Sequence, residues 1–411
     1  MPAQAHAAPS EEQDSGSEQQ GFHDRSGECQ KQHEQEENAT LAAADAILHL
    51  CHVTLAPPIP AEACAASAEE QDTGTDMQDF NDTSGERQKH HVQTRDQWTQ
   101  WEANPYDDHT YVQYLPIGFR GKSFAESLTG DDITFYTGVS QIVFQKLVKA
   151  VSALAKKPSA LTRADQLIMC LMRLRLGLLH GHLARIFKVS VSTVSNNVLY
   201  MLDLLSKIMK NVVIWLPKSC IQNSMPQSFV ENKHDDTTCI LDCTEVFLQR
   251  PKKLMARAQT YSSYKAHNTV KFLVAIAPNG FIMFVSKAYG GRASDKFITN
   301  DSGISHYLGH GDVVMADRGF ALTDEMQIQG VRLNTPAFTK GKPQLTNKEV
   351  TSTRRIASVR IHVERAINRL KTYRIFKQAL PIRSKKTISK MVFVCAGLCN
   401  FKSDLIKKPG V

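Results

Sequence analysis

At 411 residues, 42% of them hydrophobic, the chain is long enough for two or three domains and apolar enough to bury a large core. Its net charge of +8 hides a division: residues 1–115 hold 5 Lys and Arg against 22 Asp and Glu, a net −17, while the rest hold 44 against 19, a net +25. Nine scattered cysteines without a C-x-x-C pair argue against a disulfide framework or a zinc finger, and no N-terminal apolar core or run of 18 apolar residues argues for secretion or membrane spanning.

Residues 2–35 and 60–93 read as a duplicated segment, since Pro2-Ala3, Glu11-Glu12-Gln13-Asp14 and Ser26-Gly27-Glu28 recur as Pro60-Ala61, Glu69-Glu70-Gln71-Asp72 and Ser84-Gly85-Glu86. Their Gln, Glu, Ser and Gly content buries too little apolar surface to offset the entropy of ordering, so residues 1–96 are expected to form a disordered acidic tail, with a short helix near Leu41–Leu50 as its one structured candidate. Trp98, Trp101, Tyr106, Tyr111 and Tyr114 then supply aromatic anchors where folding is expected to begin.

Residues 97–217 read as a helical domain. A helix from Ser140 aligns Phe144, Leu147 and Val151 and stops before Pro158; the next starts at Thr162 as N-cap, with Asp165 three residues on, and buries Leu167, Leu171, Leu174 and Leu178. His182 to Asn197 follows a helix-turn-helix layout: Ala184 permits close approach, Ser190 caps the second helix and Val194 packs beneath it. Lys188 stands where a turn glycine is commonest. Ser192, Thr193, Ser195, Asn196 and Asn197 are expected to face outward, where short polar side chains reach phosphates and base edges; the same bend also serves as plain helical packing in many proteins.

Residues 218–411 change to strand texture. Thr238–Asp242 is a short apolar run ending on an acid, Val270–Ala277 and Phe281–Ser286 flank a Pro278-Asn279-Gly280 hairpin turn, and Asp312–Asp317 is a second apolar run ending on an acid. A helix from about Thr323, a short strand at Val331–Leu333, a polar loop at Thr339–Lys348 and a last helix burying Ile388, Met391, Cys395 and Leu398 complete the order. Between the loop and that last helix, Arg354–Lys371 carries Glu364 alone among six Arg and Lys residues. Its apolar Ile356, Val359, Val363, Ile367 and Leu370 step at helical spacing, and Glu364 lies beside that stripe. Taken alone, Glu364 reads equally well as one half of i, i+4 ion pairs on a solvated helix. Two strand-terminal aspartates meeting at one edge of a mixed sheet, joined by a helix carboxylate, would instead give the three hard oxygen donors that paired Mg²⁺ ions need for phosphodiester chemistry.

At Ile240-Leu241-Asp242-Cys243-Thr244-Glu245, Tyr261-Ser262-Ser263-Tyr264-Lys265, Gly290-Gly291-Arg292-Ala293-Ser294-Asp295, Met315-Ala316-Asp317-Arg318-Gly319-Phe320 and Arg360-Ile361-His362-Val363-Glu364-Arg365 the chain resembles the Harbinger-like DDE transposases, and the 47-residue interval from Asp317 to Glu364 suits that group. The resemblance spans roughly residues 125–405. It implies an α/β fold with a ribonuclease-H-like mixed-sheet core behind a helix-turn-helix domain, with Asp242, Asp317 and Glu364 as the catalytic and metal-binding acids. It also implies divalent Mg²⁺ or Mn²⁺, two ions, as cofactor, and a nuclear nuclease or transposase acting on double-stranded DNA, with a dimer or higher assembly to process two DNA ends. Relatives often carry a THAP-type zinc finger at the N-terminus; no suitable Cys/His spacing stands here, which leaves recognition to the helix-turn-helix. The alternatives are a domesticated transposase-derived DNA-binding protein without catalysis and, less favoured, a nuclease of RNA or repair substrates on the same core.

Asp295 ranks below Asp317 because it ends no strand, and stands as an accessory acid. Glu245, three residues from Asp242, is expected on the other sheet face. His267 and His362 are expected to be structural or phosphate-facing, and the pairs Cys239/Cys243 and Cys395/Cys399 to fill the core. Lys252, Lys253, Lys265, Arg292, Arg360 and Lys371 are the candidate DNA-backbone contacts, each equally readable as solvated surface.

Overall fold

The computed structural model describes residues 123–337, 344–402 and 405. The duplicated tail, the helix expected near Leu41–Leu50, the aromatic anchors and the first part of the 339–348 loop lie outside the described residues.

The helical part comprises α1 (Gly130–Thr137), α2 (Gln141–Leu154), α3 (Arg163–Leu176), α4 (His180–Phe187) and α5 (Val191–Met209). Ser140 caps α2 through the Val143 N–H, and Thr162 caps α3 through the Asp165 N–H, as their positions before apolar stripes predict. The Asp165 carboxylate does not complete a capping box; it is buried and accepts from the Ala125 N–H at 2.9 Å. Gly177, in the left-handed conformation, ends α3, so Leu178 falls past the helix instead of on its buried face. Lys188 (φ 53°) takes the left-handed turn position between α4 and α5, Ser190 accepts from the Thr193 N–H at 3.0 Å, and Ala184 and Val194 are buried between the two helices.

Beyond α6 (Lys218–Asn223) and α7 (Gln227–Glu231) lies a mixed sheet: β1 (Cys239–Phe247), then α8 (Leu254–Thr260), β2 (Tyr261–Ser262), β3 (His267–Ile276), β4 (Ile282–Val285), β5 (Tyr289–Gly290), α9 (Asp295–Asp301), β6 (Val313–Met315), α10 (Asp324–Ile328) and β7 (Arg332–Asn334). Strands β7, β6 and β1 are parallel, and β3 runs antiparallel to β1 from Ile240 opposite Ile276 to Phe247 opposite Thr269; β2, β5 and β4 line the other edge of β3. Gly280, at φ 91°, closes the β3–β4 hairpin where the Asn-Gly pair demands a positive φ. This mixed sheet with flanking helices is a ribonuclease-H-like core.

Helices α11 (Asn347–Lys371) and α12 (Ile388–Asn400) complete the unit. A capping box of Thr346 and Glu349 starts α11, and Ile356, Val359, Val363, Ile367 and Leu370 bury its predicted stripe against the sheet. Helix α12 packs on β4 and along α5, which joins the helical part to the sheet. Gly397 makes that approach possible, since a Cβ there would lie 2.4 Å from the Met209 Sδ. The buried Asn400 amide seals the junction by donating to the Val212 and Ile282 carbonyls and accepting from the Ile282 N–H.

Candidate active site

Strand register brings the first two predicted acids together. Parallel pairing of β1 with β6 is confined to Cys239–Val314 and Ile240–Met315, and two residues further along each chain stand Asp242 and Asp317. Neighbouring strands lie about 4.8 Å apart, so the two positions are level on adjacent paths. One part of the expectation is corrected: Asp242 does not end its strand. β1 continues to Phe247 because β3 goes on pairing with it, and the acids meet where β6 leaves the sheet, beside a strand that carries on.

Burial pushes the Asp242 carboxyl up to about 6; the Arg360 charge and the Cys243 backbone N–H oppose this, while Asp317 and Asp295 add to it. Asp317 accepts from the Arg318 N–H at 2.8 Å and forms an ion pair with Arg360 Nη1 at 3.3 Å. With its side chain only 14% exposed against 55% for Asp317, Arg360, a candidate DNA-backbone contact, lies at the acid site. The reason is helical phase, which turns this position of α11 toward the sheet. Lys371, three turns on, is half-buried; burial and Lys265 lower its pKa while Asp242 and Glu245 raise it.

Glu364 lies between Arg360 and Lys371 in the sequence and within about 40° of each around the helix axis, at the solvent border of the stripe that turns Arg360 to Asp317. Its side chain is exposed, and among the described residues no hydrogen bond or ion pair joins it to Asp242 or Asp317. The oxygen donors of the aspartate pair suit a hard divalent cation. Among the described residues no three His, Cys, Asp or Glu side chains converge closely enough to hold one, and Asp317 is paired with Arg360 instead.

A second layer supports the pair. Asp295 opens α9 under its Ser294 cap and pairs with Lys271 at 2.7 Å. Gly319 rests directly on it, since a Cβ there would come 2.9 Å from the Asp295 Oδ2, so the Asp317-Arg318-Gly319 turn is seated on that carboxylate. Burial pulls the Lys271 ammonium down, but the hydrogen bond and charge of Asp295 outweigh it and leave the pKa raised. The Cys243 thiol is pushed up by burial and then by Asp295. Lys271 escaped the sequence reading, although a lone charge inside the apolar run Thr269–Ile276 was the signal that could have found it. Glu245 is held within the sheet by the Thr269 hydroxyl at 2.8 Å. His362 is buried, stacks on Phe229, lies 3.2 Å from the Ser228 hydroxyl and is lowered to about 4 by burial and then Arg365, which makes it structural. Cys239, Cys395 and Cys399 are buried core residues.

On the helix-turn-helix, Ser192, Thr193 and Asn196 are exposed and Ser195 is half-buried. Asn197 is corrected: it is buried and donates to the Gln166 carbonyl at 2.9 Å, because one further residue along α5 turns it onto α3. The candidate contacts Lys252, Lys253, Lys265 and Arg292 are exposed. No helix among the described residues is long and apolar enough to cross a membrane.

Residues 241–400 match the family model described as DDE superfamily endonuclease, and residues 159–211 match that of the helix-turn-helix of DDE superfamily endonuclease. No curated protein and no solved structure gave a match. The first model begins one residue before Asp242 and spans Asp317 and Glu364, and the second spans α3 to α5, so the chain carries a DDE superfamily endonuclease domain preceded by the helix-turn-helix domain associated with it.

Proposed function

We propose that this protein is a nuclear, divalent-metal-dependent DNA endonuclease and strand transferase of transposon descent, with Asp242, Asp317 and Glu364 as its catalytic acids. The observation that supports the reading is the level placement of Asp242 and Asp317 just beyond the β1–β6 pairing, where α11, the helix that carries Glu364, turns Arg360 onto Asp317. Mg²⁺ or Mn²⁺ held by these carboxylates would supply the acidity that activates water or a 3′-hydroxyl and stabilises the leaving oxygen. The chain's own residues do the rest. Asp295 seats the Asp317 turn, Arg360 offsets carboxylate repulsion until the acids are engaged, and Lys265 and Lys371 offer positive charge to the phosphates beside the acids. Helix α5 presents Ser192, Thr193, Ser195 and Asn196 to duplex DNA.

A second reading, a domesticated DNA-binding protein without catalysis, is favoured by one observation: Asp317 is paired with Arg360 while Glu364 remains in solvent. Cleavage of candidate terminal inverted repeats with Mg²⁺ present or chelated separates the two. Wild-type cleavage that vanishes in Asp242→Ala, Asp317→Ala and Glu364→Ala, with DNA binding retained, supports the nuclease. Binding without cleavage supports the second reading, and cleavage surviving in all three variants overturns the acid assignment.

A further inference from the structure

The chain between β1 and β3 builds an arm whose surface chemistry a phosphate backbone does not explain. Helix α8 buries none of its residues, and Leu254 and Met255 at its start are 75% and 65% exposed. The following β2–β3 turn raises Tyr264 to 85% exposure, with Lys265 Nζ 4.5 Å from its ring centroid. Ala266 holds that turn with a positive φ of 53°, a conformation glycine adopts more readily.

The base of the arm is fixed. Asn268 donates to the Arg257 carbonyl at 2.9 Å and to the Thr260 hydroxyl at 2.8 Å, and Arg257 Nε reaches the Pro251 carbonyl. Gly290 leaves no room for a Cβ beneath the Gln259 carbonyl, which would lie 2.4 Å away. The exposed apolar side chains therefore stand on a fixed platform.

The surroundings select the partner. From Val246 to Ser294 the sequence contains no acidic residue, while Arg250, Lys252, Lys253, Arg257 and Lys265 cluster on the arm. The arm leaves β1 after Phe247 and rejoins the sheet at His267 of β3, so it grows from the strand that carries Asp242 five residues earlier. Cations satisfy phosphates, but Leu, Met and Tyr side chains gain only from flat apolar surface. In an intact duplex the base faces are already stacked on one another. A polyanion that offers such surface is one with unstacked bases.

We propose that the Leu254–Met255–Tyr264 arm is a stacking platform for unpaired bases, engaging the frayed or opened strand of a DNA end while the neighbouring lysines hold its phosphates. This goes beyond the nuclease reading, which supplies the DNA end, but its test needs no catalysis. Full-length protein in EDTA is titrated, by fluorescence anisotropy, with a blunt duplex and with the same duplex carrying an unpaired forked end.

The expected result is tighter binding of the forked probe by wild type. That preference should fall roughly 5- to 100-fold in the Tyr264→Ala and Leu254→Ala/Met255→Ala variants, at unchanged blunt-duplex affinity, and return with Tyr264→Trp. A 2-aminopurine in the fork should change fluorescence on binding wild type and not the alanine variants. Equal binding of both probes by wild type, or an undiminished preference in variants with wild-type circular dichroism, overturns the proposal. So does loss of self-association in the alanine variants with fork binding intact, since it would give the arm to a second copy of the chain. Asp242→Ala should keep the fork preference, so a failure of the acid assignment and a failure of the arm are read separately.

Discussion

Helices α5 and α11, of 19 and 25 residues, both carry polar residues assigned to DNA chemistry, yet they were readable to different degrees. In α5 the meaning is local. Ser190 caps it, Val194 anchors it, and the exposed first turn follows from helical phase alone. In α11 the polar residues split between solvent and the sheet: Arg360 turns in to Asp317, Lys371 is half-buried, and Glu364 stays exposed between them. A charged residue on a helix docked against a sheet takes its role from what lies across the gap, and that partner is far away in sequence.

The comparison can be broken at several points. The largest expected effect is Leu205→Ala, which empties a fully buried site on the face of α5. It should cost about 2–5 kcal/mol. Because α5 packs on α12 within one compact unit, calorimetry should show a single lowered transition; an early helical transition followed by an unshifted second one would mean that the helix-turn-helix melts independently.

A mid-sized effect belongs to Asp242. Its folded carboxyl at about 6 lies above the ordinary 3.8, so the folded state binds the proton more tightly, and wild type loses stability as pH rises from about 4 through about 6. The loss is on the order of 1–3 kcal/mol and persists above that window. Asp242→Asn should therefore be more stable than wild type at pH 8 in EDTA and gain nothing near pH 4. Added Mg²⁺ should stabilise wild type and not the variant. Denaturant titrations at the two pH values check both; a variant less stable at pH 8 would show that Asp242 is a favourable buried charge.

The smallest effect separates two neighbours on α5. Asn197→Ala should cost about 1–2 kcal/mol, because it removes the donor to the Gln166 carbonyl, without altering base preference in the folded protein. Asn196→Ala should leave the melting temperature unchanged and weaken sequence-specific binding. Reversed results would mean that α5 meets DNA on a different face.

By itself the sequence determined what is set by short-range physics: the caps at Ser140, Thr162 and Ser190, the Asn-Gly hairpin and the buried stripe of α11. These depend on residues within one or two turns of each other. It also named Asp242 and Asp317, since an acid closing an apolar run is conspicuous at any range. Only the tertiary structure decided that Asp242 sits inside β1, that Lys271 and Asp295 support the Asp317 turn, that Arg360 belongs to the acids, and that Asn197 is buried. Each of these depends on which strand pairs with which, or on the rotation of a helix about its axis once docked, and both are settled by the packing of segments remote in the chain.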